Sequence, residues 1–499
     1  MRARLRPEAA SWTGIDLLAV ATVTTQDLSP NLPKPDSGAG FAALSLTEPS
    51  FRVVQELGFT TMTPIQAQAL PVLLRGDDLV GQSATGSGKT VAFALPLLER
   101  LQLERRKLQA LVLCPTRELA TQVAAAIRTL GRHRAGLRVL TLCGGTPTGP
   151  QRSALLQGVH VAVGTPGRVQ DHINRAMEID QVHTVVLDEA DRMLDMGFQQ
   201  DVEAILRRLP RKRQTSFFSA TFPPTMAAMS RSWQRAPIHV HIGAEDAEQP
   251  RIREVAHLLA AGDRAAALCT LLQVHRPNSA LVFCNLKDTV RAVTNHVLQQ
   301  GFAAAALHGD LDQHERDRVM AKFRNGTVQV LIATDVAARG LDISGLAAVI
   351  QYELATKADT WLHRIGRTGR AGAPGLAIAL VTPADSGRLR GREDAYKAAG
   401  GQGGIERLPL PGVTDDLDVA EVPLGTLHIR GGRKDKLRPV DILGALTGTA
   451  GLLAAQVGKI EIGDRTTYVG VHQTALRKLL ARAQALRIKG RNFRIEQVR

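Results

Sequence analysis

Short apolar runs recur along the chain, each followed by a stretch with helical character. From about 41 to 245 the runs lie in "DDLVGQ", "LQALVLCPT", "LRVLTLCGG", "VHVAVGTP", "HTVVLDEAD" and "QTSFFSATF". Runs apolar at consecutive positions suit strands covered on both faces, and intervening helices suit the crossovers of a parallel sheet. The pattern restarts after about 250 with "NSALVFCN", "GFAAAALHGD", "VQVLIATDVA", "LAAVIQYEL" and "GLAIALVTP". Two successive α/β domains are expected, 41–245 and 246–385. Residues 1–40 are rich in Pro, Ser and Thr without a sustained period, which predicts a disordered extension. "GGQGG" and "LPLPGVTDD" mark 386–425 as a linker. The last stretch, 426–499, has a β-α-β-β-α-β rhythm built from "TLHIRG", "PVDILGALTG", "KIEIGD", "TTYVGV", "QTALRKLLARAQA" and "IKGRNFRIEQV". That order predicts a small α+β domain of RNA-recognition type.

Charge sharpens this picture. The 499 residues carry a formal charge of +15, which favours a polyanionic partner, most often nucleic acid. Residues 426–499 hold 15 Lys and Arg against five Asp and Glu, so two thirds of the excess lies in the last seventh of the chain. No apolar run reaches the length of a membrane span, and the apolar part of "MRARLRPEAASWTGIDLLAVATV" is short and interrupted. A cytoplasmic protein with no membrane partner is expected. Cys114, Cys143, Cys269 and Cys284 form no C-x-x-C pair and read as small core residues of a reducing compartment.

Two stretches carry chemistry. "SATGSGKT" follows the first strand and opens a helix, the setting of a phosphate-binding loop. Gly86 and Gly88 let the backbone approach phosphate oxygens, Lys89 reaches the β- and γ-phosphates, and Thr90 holds Mg²⁺. Ser83 replaces the Gly of the general pattern, a small residue in a small residue's place. The expected ATP-binding set in this loop is Ser83, Thr85, Gly86, Ser87, Gly88, Lys89 and Thr90. In "HTVVLDEADRMLDMGF", Asp188, Glu189, Asp191 and Asp195 crowd the end of an apolar strand. Carboxylates that close repel one another unless a cation or a reaction uses them. Asp188 is expected to hold Mg²⁺, Glu189 to orient and deprotonate the attacking water, and Asp191 to link the site to its neighbours. Asp195 reads as a solvated helix residue.

With "SATGSGKT" and "DEAD" in place, 41–385 resembles the DEAD-box RNA helicases, whose motifs occur here in the family's order. The resemblance implies two tandem RecA-like domains, an RNA-dependent ATPase with ATP and Mg²⁺ as cofactors, and RNA as partner. "GFTTMTPIQ" is similar to the adenine-reading motif. By resemblance Phe41 packs on adenine, while Thr63 and Gln66 bind it. "PTRELA", "GG" and "TPGR" resemble the RNA-backbone motifs, implying contacts from Pro115, Thr116, Arg117, Gly144, Gly145, Thr165 and Arg168. "SAT", Ser219 to Thr221, resembles the element that couples hydrolysis to strand separation. In the second domain "ATDVAARGLD" and "HRIGRTGR" imply Thr334 at RNA, Asp342 at the ribose, and Arg367 and Arg370 as arginine fingers beside His363. The catalytic site would then be complete only when the domains close, so ATP and RNA favour each other's binding.

The last 74 residues look like the specificity domain of the DbpA subfamily, which implies 23S ribosomal RNA and pre-50S particles as partners. One aromatic, Tyr468, marks the central strand as a candidate RNA contact, and Arg430, Arg433, Lys434, Lys436, Arg487, Lys489 and Arg491 are the expected basic RNA surface. A monomer is favoured.

Overall fold

A computed structural model describes residues 40–243, 252–259, 264–338, 343, 345–369, 374–398, 404–412 and 423–498, apart from 85, 176 and 483. The extension 1–39 lies outside them. The first domain's strands are β1 (Leu79–Gln82), β2 (Ala110–Leu113), β3 (Val139–Leu142), β4 (Val161–Gly164), β5 (Thr184–Asp188), β6 (Gln214–Ser219) and β7 (Ile238–His241). They form one sheet in the order β3-β4-β2-β5-β6-β1-β7, with every neighbouring pair parallel. Alternate residues of a strand enter opposite layers, so consecutive positions must all be apolar. In β2, Ala110 and Val112 join the core under one face while Leu111 and Leu113 join the core under the other. The sequence reading missed β7, whose His239 and His241 break the apolar run on an edge strand.

The second domain repeats the plan. Its strands are β8 (Ile252–Leu258), β9 (Ala280–Cys284), β10 (Ala304–Leu307), β11 (Val330–Thr334), β12 (Ala348–Gln351), β13 (Gly375–Val381) and β14 (Glu406–Leu408), in the order β10-β11-β9-β12-β13-β8-β14. Two features correct the expected linker. Residues Ser386–Ala398 are a helix, and β14 pairs in parallel with β8. The region 386–412 is therefore largely built into the second domain, with Arg407 paired to Glu393 at 2.9 Å and Arg253 to Glu406 at 2.8 Å.

The C-terminal unit is an antiparallel sheet of β15 (Leu424–Ile429), β16 (Val457–Ile462), β17 (Thr467–His472), β18 (Ala485–Ile488) and β19 (Arg491–Gln497), ordered β16-β17-β15-β19-β18. The stretch expected as one final strand is a hairpin, turning at Lys489 and Gly490 with φ of 48° and 77°. Helices Pro439–Gly444 and Gln473–Arg482 share a core with one face of the sheet. The other face lies on the second helicase domain. Thr426 bridges Asn325 (2.9 Å) and Thr327 (2.8 Å), Arg324 pairs with Glu461 at 3.4 Å, and Tyr468 packs with Ala321 and Val498.

Candidate active site

The sheet order makes β5, β6 and β1 neighbours, so Asp188, Ser219 and Ser83 arrive at one carboxyl edge, where ligands of parallel sheets bind. The Ser83 amide donates to the Ser219 carbonyl at 3.0 Å. Ser83 is buried, and its hydroxyl lies 2.8 Å from that of Ser87, so the serine at the first loop position is used inside the loop. Gly86 and Gly88 have φ of 85° and 96°, a region side chains disfavour. A Cβ on Gly88 would also collide with the Gln66 amide. Lys89 is buried and donates to the carbonyls of Ser83 (2.6 Å) and Ala84 (3.0 Å). Burial lowers its pKa, while Asp188, Glu189 and Asp191 act the other way. Thr90 is half-buried in the first turn of helix Lys89–Glu99. Thr85 lies outside the described residues.

Burial, with the Glu189 charge beside it, pushes Asp188 up to about 7. A carboxylate driven toward neutrality regains its charge beside a cation, and Asp188 with the Thr90 hydroxyl supplies the oxygen donors Mg²⁺ prefers. Glu189 is left-handed (φ 53°, ψ 51°), rare for a side-chain-bearing residue, and it caps helix Ala190–Asp195. Asp191 accepts from the Thr221 amide and hydroxyl, both at 2.9 Å, and its own amide donates to the Ser219 hydroxyl at 3.3 Å. Burial opposes its charge, but the adjacent His363 and the bonds from Ser219 and Thr221 hold its pKa below the usual value. Burial and the neighbouring Arg192 disfavour the protonated form of His363, while Asp191 favours it. Asp191 thus ties the β5 and β6 ends together, with His363 of the second domain within electrostatic reach.

The adenine motif makes contacts within the protein that the sequence did not predict. Gln66 is buried; it accepts from the Thr63 amide at 3.0 Å and donates to the Gly88 carbonyl at 3.2 Å. Its amide is therefore used on the protein backbone, where it joins this motif to the phosphate loop. Phe41 is 3% exposed because its apolar ring completes the first domain's core, and it cannot offer an open stacking face. Phe59 stacks on it at 6.3 Å and is 38% exposed, so the outer aromatic face belongs to Phe59.

The expected RNA residues of the first domain are brought together. Pro115 and Thr116 lead into helix Arg117–Leu130, where Thr116 caps the Leu119 amide at 3.3 Å. The Arg117 guanidinium lies over Gly145, where a Cβ would collide with it. Gly144 is open. Thr165 begins helix Pro166–Asn174, and Arg168 donates to the Thr146 carbonyl and Gln151, both at 3.0 Å. Two helix N-termini and two guanidinium groups thus frame one surface suited to phosphate. Thr334 ends β11 and caps the Ala337 amide at 3.4 Å. Asp342 and Arg370 lie outside the described residues. Arg367 is buried beside Arg364 and His363 at the domain junction.

In the C-terminal unit Arg430, Arg433, Lys434, Lys436, Arg487, Lys489 and Arg491 are exposed. Lys489 donates to the Lys436 carbonyl at 3.1 Å and pairs with Asp441 at 2.7 Å, which brings the 433–438 loop to the hairpin turn. Tyr468 is a correction. It is 7% exposed, stacked on His428 at 5.1 Å and covered by the second domain, so it presents no face for a base.

Contacts across the domains include Arg316–Glu118 at 3.5 Å and Lys357–Asp195 at 3.6 Å, the latter between solvated side chains. A cavity at the junction is lined by Arg192 and Asp195 from one side and by Thr360, His363, Arg364 and Arg367 from the other. Arg364, 1% exposed, is held by Asp335 (2.7 Å), Asn285 (2.8 Å) and the Glu353 carbonyl (2.6 Å). The sequence reading passed over Arg364, Arg192, Phe59 and Glu118. For Arg364 and Arg192, a cation inside a motif helix or directly after the carboxylate cluster was the available signal.

Comparison with known proteins matches the same three units. Residues 63–229 fit the DEAD/DEAH box helicase family, 263–372 the helicase conserved C-terminal domain, and 426–497 the DbpA RNA binding domain. The ATP-dependent RNA helicase DbpA of Escherichia coli (strain K12) is 43% identical over 457 residues, covering 91% of this chain and 98% of that protein. The DEAD-box ATP-dependent RNA helicase CshA of Geobacillus kaustophilus is 40% identical over 379 residues, 76% of this chain and 80% of its own. Among solved structures, S. cerevisiae Dbp5 bound to RNA and ADP BeF3 superposes with a TM-score of 0.66 at 30% identity, covering 74% of this chain and 96% of that one.

Proposed function

The chain belongs to the DEAD-box ATP-dependent RNA helicases, in their DbpA subfamily, and from that premise we propose that it acts on 23S ribosomal RNA in pre-50S particles in the cytoplasm. It is an RNA-dependent ATPase and helicase built from two RecA-like domains and a C-terminal RNA-binding domain. We assign the parts as follows. Lys89 and the loop from Ser83 to Thr90 bind the nucleotide phosphates. Asp188 and Thr90 would hold Mg²⁺, which when bound neutralises phosphate charge. Glu189 orients the attacking water and takes its proton. Arg367, with Arg370, meets the charge that develops on the γ-phosphoryl group, a task suited to guanidinium. Phe59 offers the aromatic face for adenine, and Gln66 ties that motif to the loop.

One observation carries this reading: Asp191 is bonded to Thr221 and stands against His363 of the other domain. Hydrolysis, the β6 turn and domain closure therefore share one carboxylate. Arg117, Arg168 and Thr334 grip the RNA backbone, and closure across a bent strand expels its partner, which separates short duplexes locally. The exposed basic loops at 433–438 and 489–491 supply the preference for ribosomal RNA. The test compares ATPase stimulation of the full chain by 23S fragments, a homopolymer RNA and DNA. A 23S fragment should act at the lowest concentration, and replacing Arg433, Lys436 and Lys489 by Gln should remove that advantage. Equal stimulation by all RNAs in the unaltered chain would place specificity elsewhere. Lys89→Ala should abolish turnover under every condition.

A further inference from the structure

We infer that Arg192 is a positioning residue that fixes the Glu189 carboxylate for water attack. The inference rests on the role just assigned to Glu189. Helix Ala190–Asp195 starts directly after the left-handed Glu189, and this reversal folds Arg192 back toward the carboxylate three residues earlier. Arg192 Nη1 lies 3.2 Å from Glu189 Oε2. The guanidinium side chain is 3% exposed and the carboxylate 14%. Neither of these two atoms makes a hydrogen bond, so the contact is a charge pair without aligned donor geometry.

Burying a guanidinium carries a desolvation cost, and a single imperfect ion pair returns only part of it. An apolar side chain would fill the same space more cheaply if packing were the whole purpose. The placement has a second feature. Arg192 lines the junction cavity together with His363 and Arg367 of the other domain. The charge therefore stands on the side of Glu189 from which the second domain completes the site. Held there, it limits the carboxylate to one orientation. Freed from it, Glu189 can turn toward solvent or toward Lys89. Misplacing a reacting group by about 1 Å can cost roughly a hundredfold in rate.

The experiment measures RNA-stimulated turnover in the full chain for Arg192→Met, Arg192→Lys, Glu189→Gln and the double variant. Arg192→Met should lower kcat by about 10- to 100-fold at saturating ATP and RNA, with KM for ATP and affinity for ADP within about twofold of the parent, since the effect falls on the chemical step. Arg192→Lys should recover most of the rate. In the Glu189→Gln background Arg192→Met should add nothing, because residues acting as one unit are non-additive. An unchanged kcat in Arg192→Met overturns the inference. So does a full additional loss in the double variant, or a lysine variant as impaired as the methionine one with a lowered melting temperature, which would mark a packing role. Normal turnover in Glu189→Gln alone would instead remove the base assignment beneath it.

Discussion

Replacing Glu118 by Gln should weaken domain closure on RNA roughly tenfold. Glu118 lies in the first turn of helix Arg117–Leu130 and meets Arg316 of the second domain at 3.5 Å, with side chains 19% and 16% exposed. At an effective dielectric of about 20, two unit charges at that distance attract by about 5 kcal/mol. Desolvation and side-chain ordering take back most of this, leaving about 1–2 kcal/mol. Since about 1.4 kcal/mol is a factor of ten, the closed state should lose close to one order of magnitude. The second bridge provides a contrast. Lys357 and Asp195 are 71% and 47% exposed at 3.6 Å, so solvent screens them and little is expected from Asp195→Asn. The assay is ATPase rate against RNA concentration. Glu118→Gln should raise the half-saturating RNA concentration with a smaller change in the saturated rate. Arg316 also donates to the Ala337 carbonyl at 3.0 Å, so its own replacement mixes two effects. The double-mutant cycle separates them and should show a coupling of about 1 kcal/mol. Additive effects, or an unchanged half-saturation in Glu118→Gln, would refute the reasoning.

Two further outcomes follow from burial. Phe59→Ala should raise KM for ATP while leaving the melting temperature nearly unchanged, whereas Phe41→Ala should cost about 3–5 kcal/mol of stability as a core truncation; the reverse pattern, by calorimetry and kinetics, would restore the adenine role to Phe41. All four cysteines are buried, and burial pushes the Cys143 thiol up to about 11, so at pH 8 only about one molecule in a thousand carries its thiolate. Ellman's reagent should therefore label the native protein slowly and the denatured protein at four sites, and rapid native labelling of Cys143 would contradict this.

Strands buried on both faces were legible because their apolar runs are unbroken, as in β2 and β5. Strands β7 and β8 were not, since His239, Arg253 and Glu254 interrupt them and tertiary pairing alone makes them strands. Strand β14 has three residues and exists because β8 offers it an edge. At the site, motif order located the phosphate loop and the carboxylates but not the direction of each side chain. Phe41 and Gln66 were found at the right place, but their contacts inside the protein were not legible. Gln66 reaches Gly88 because helix Pro64–Arg75 lies against helix Lys89–Glu99, a contact no local pattern contains. Arg192 was passed over for a related reason: only the left-handed turn at Glu189 brings it back onto the carboxylate.

The seam at Thr426 bears on how such enzymes diversify. A recognition unit hung on a free tether can be exchanged between relatives as a cassette, because nothing in the host needs to match it. Here the sheet lies on Asn325 and Thr327, with Gly470 close enough to Asn325 that a Cβ there would stand 3.3 Å from its Cβ. A transplanted unit without that hydroxyl would leave Asn325 and Thr327 without these bonds, and one with a side chain at the glycine would crowd Asn325. The C-terminal unit and the second helicase domain are thus expected to drift as one piece.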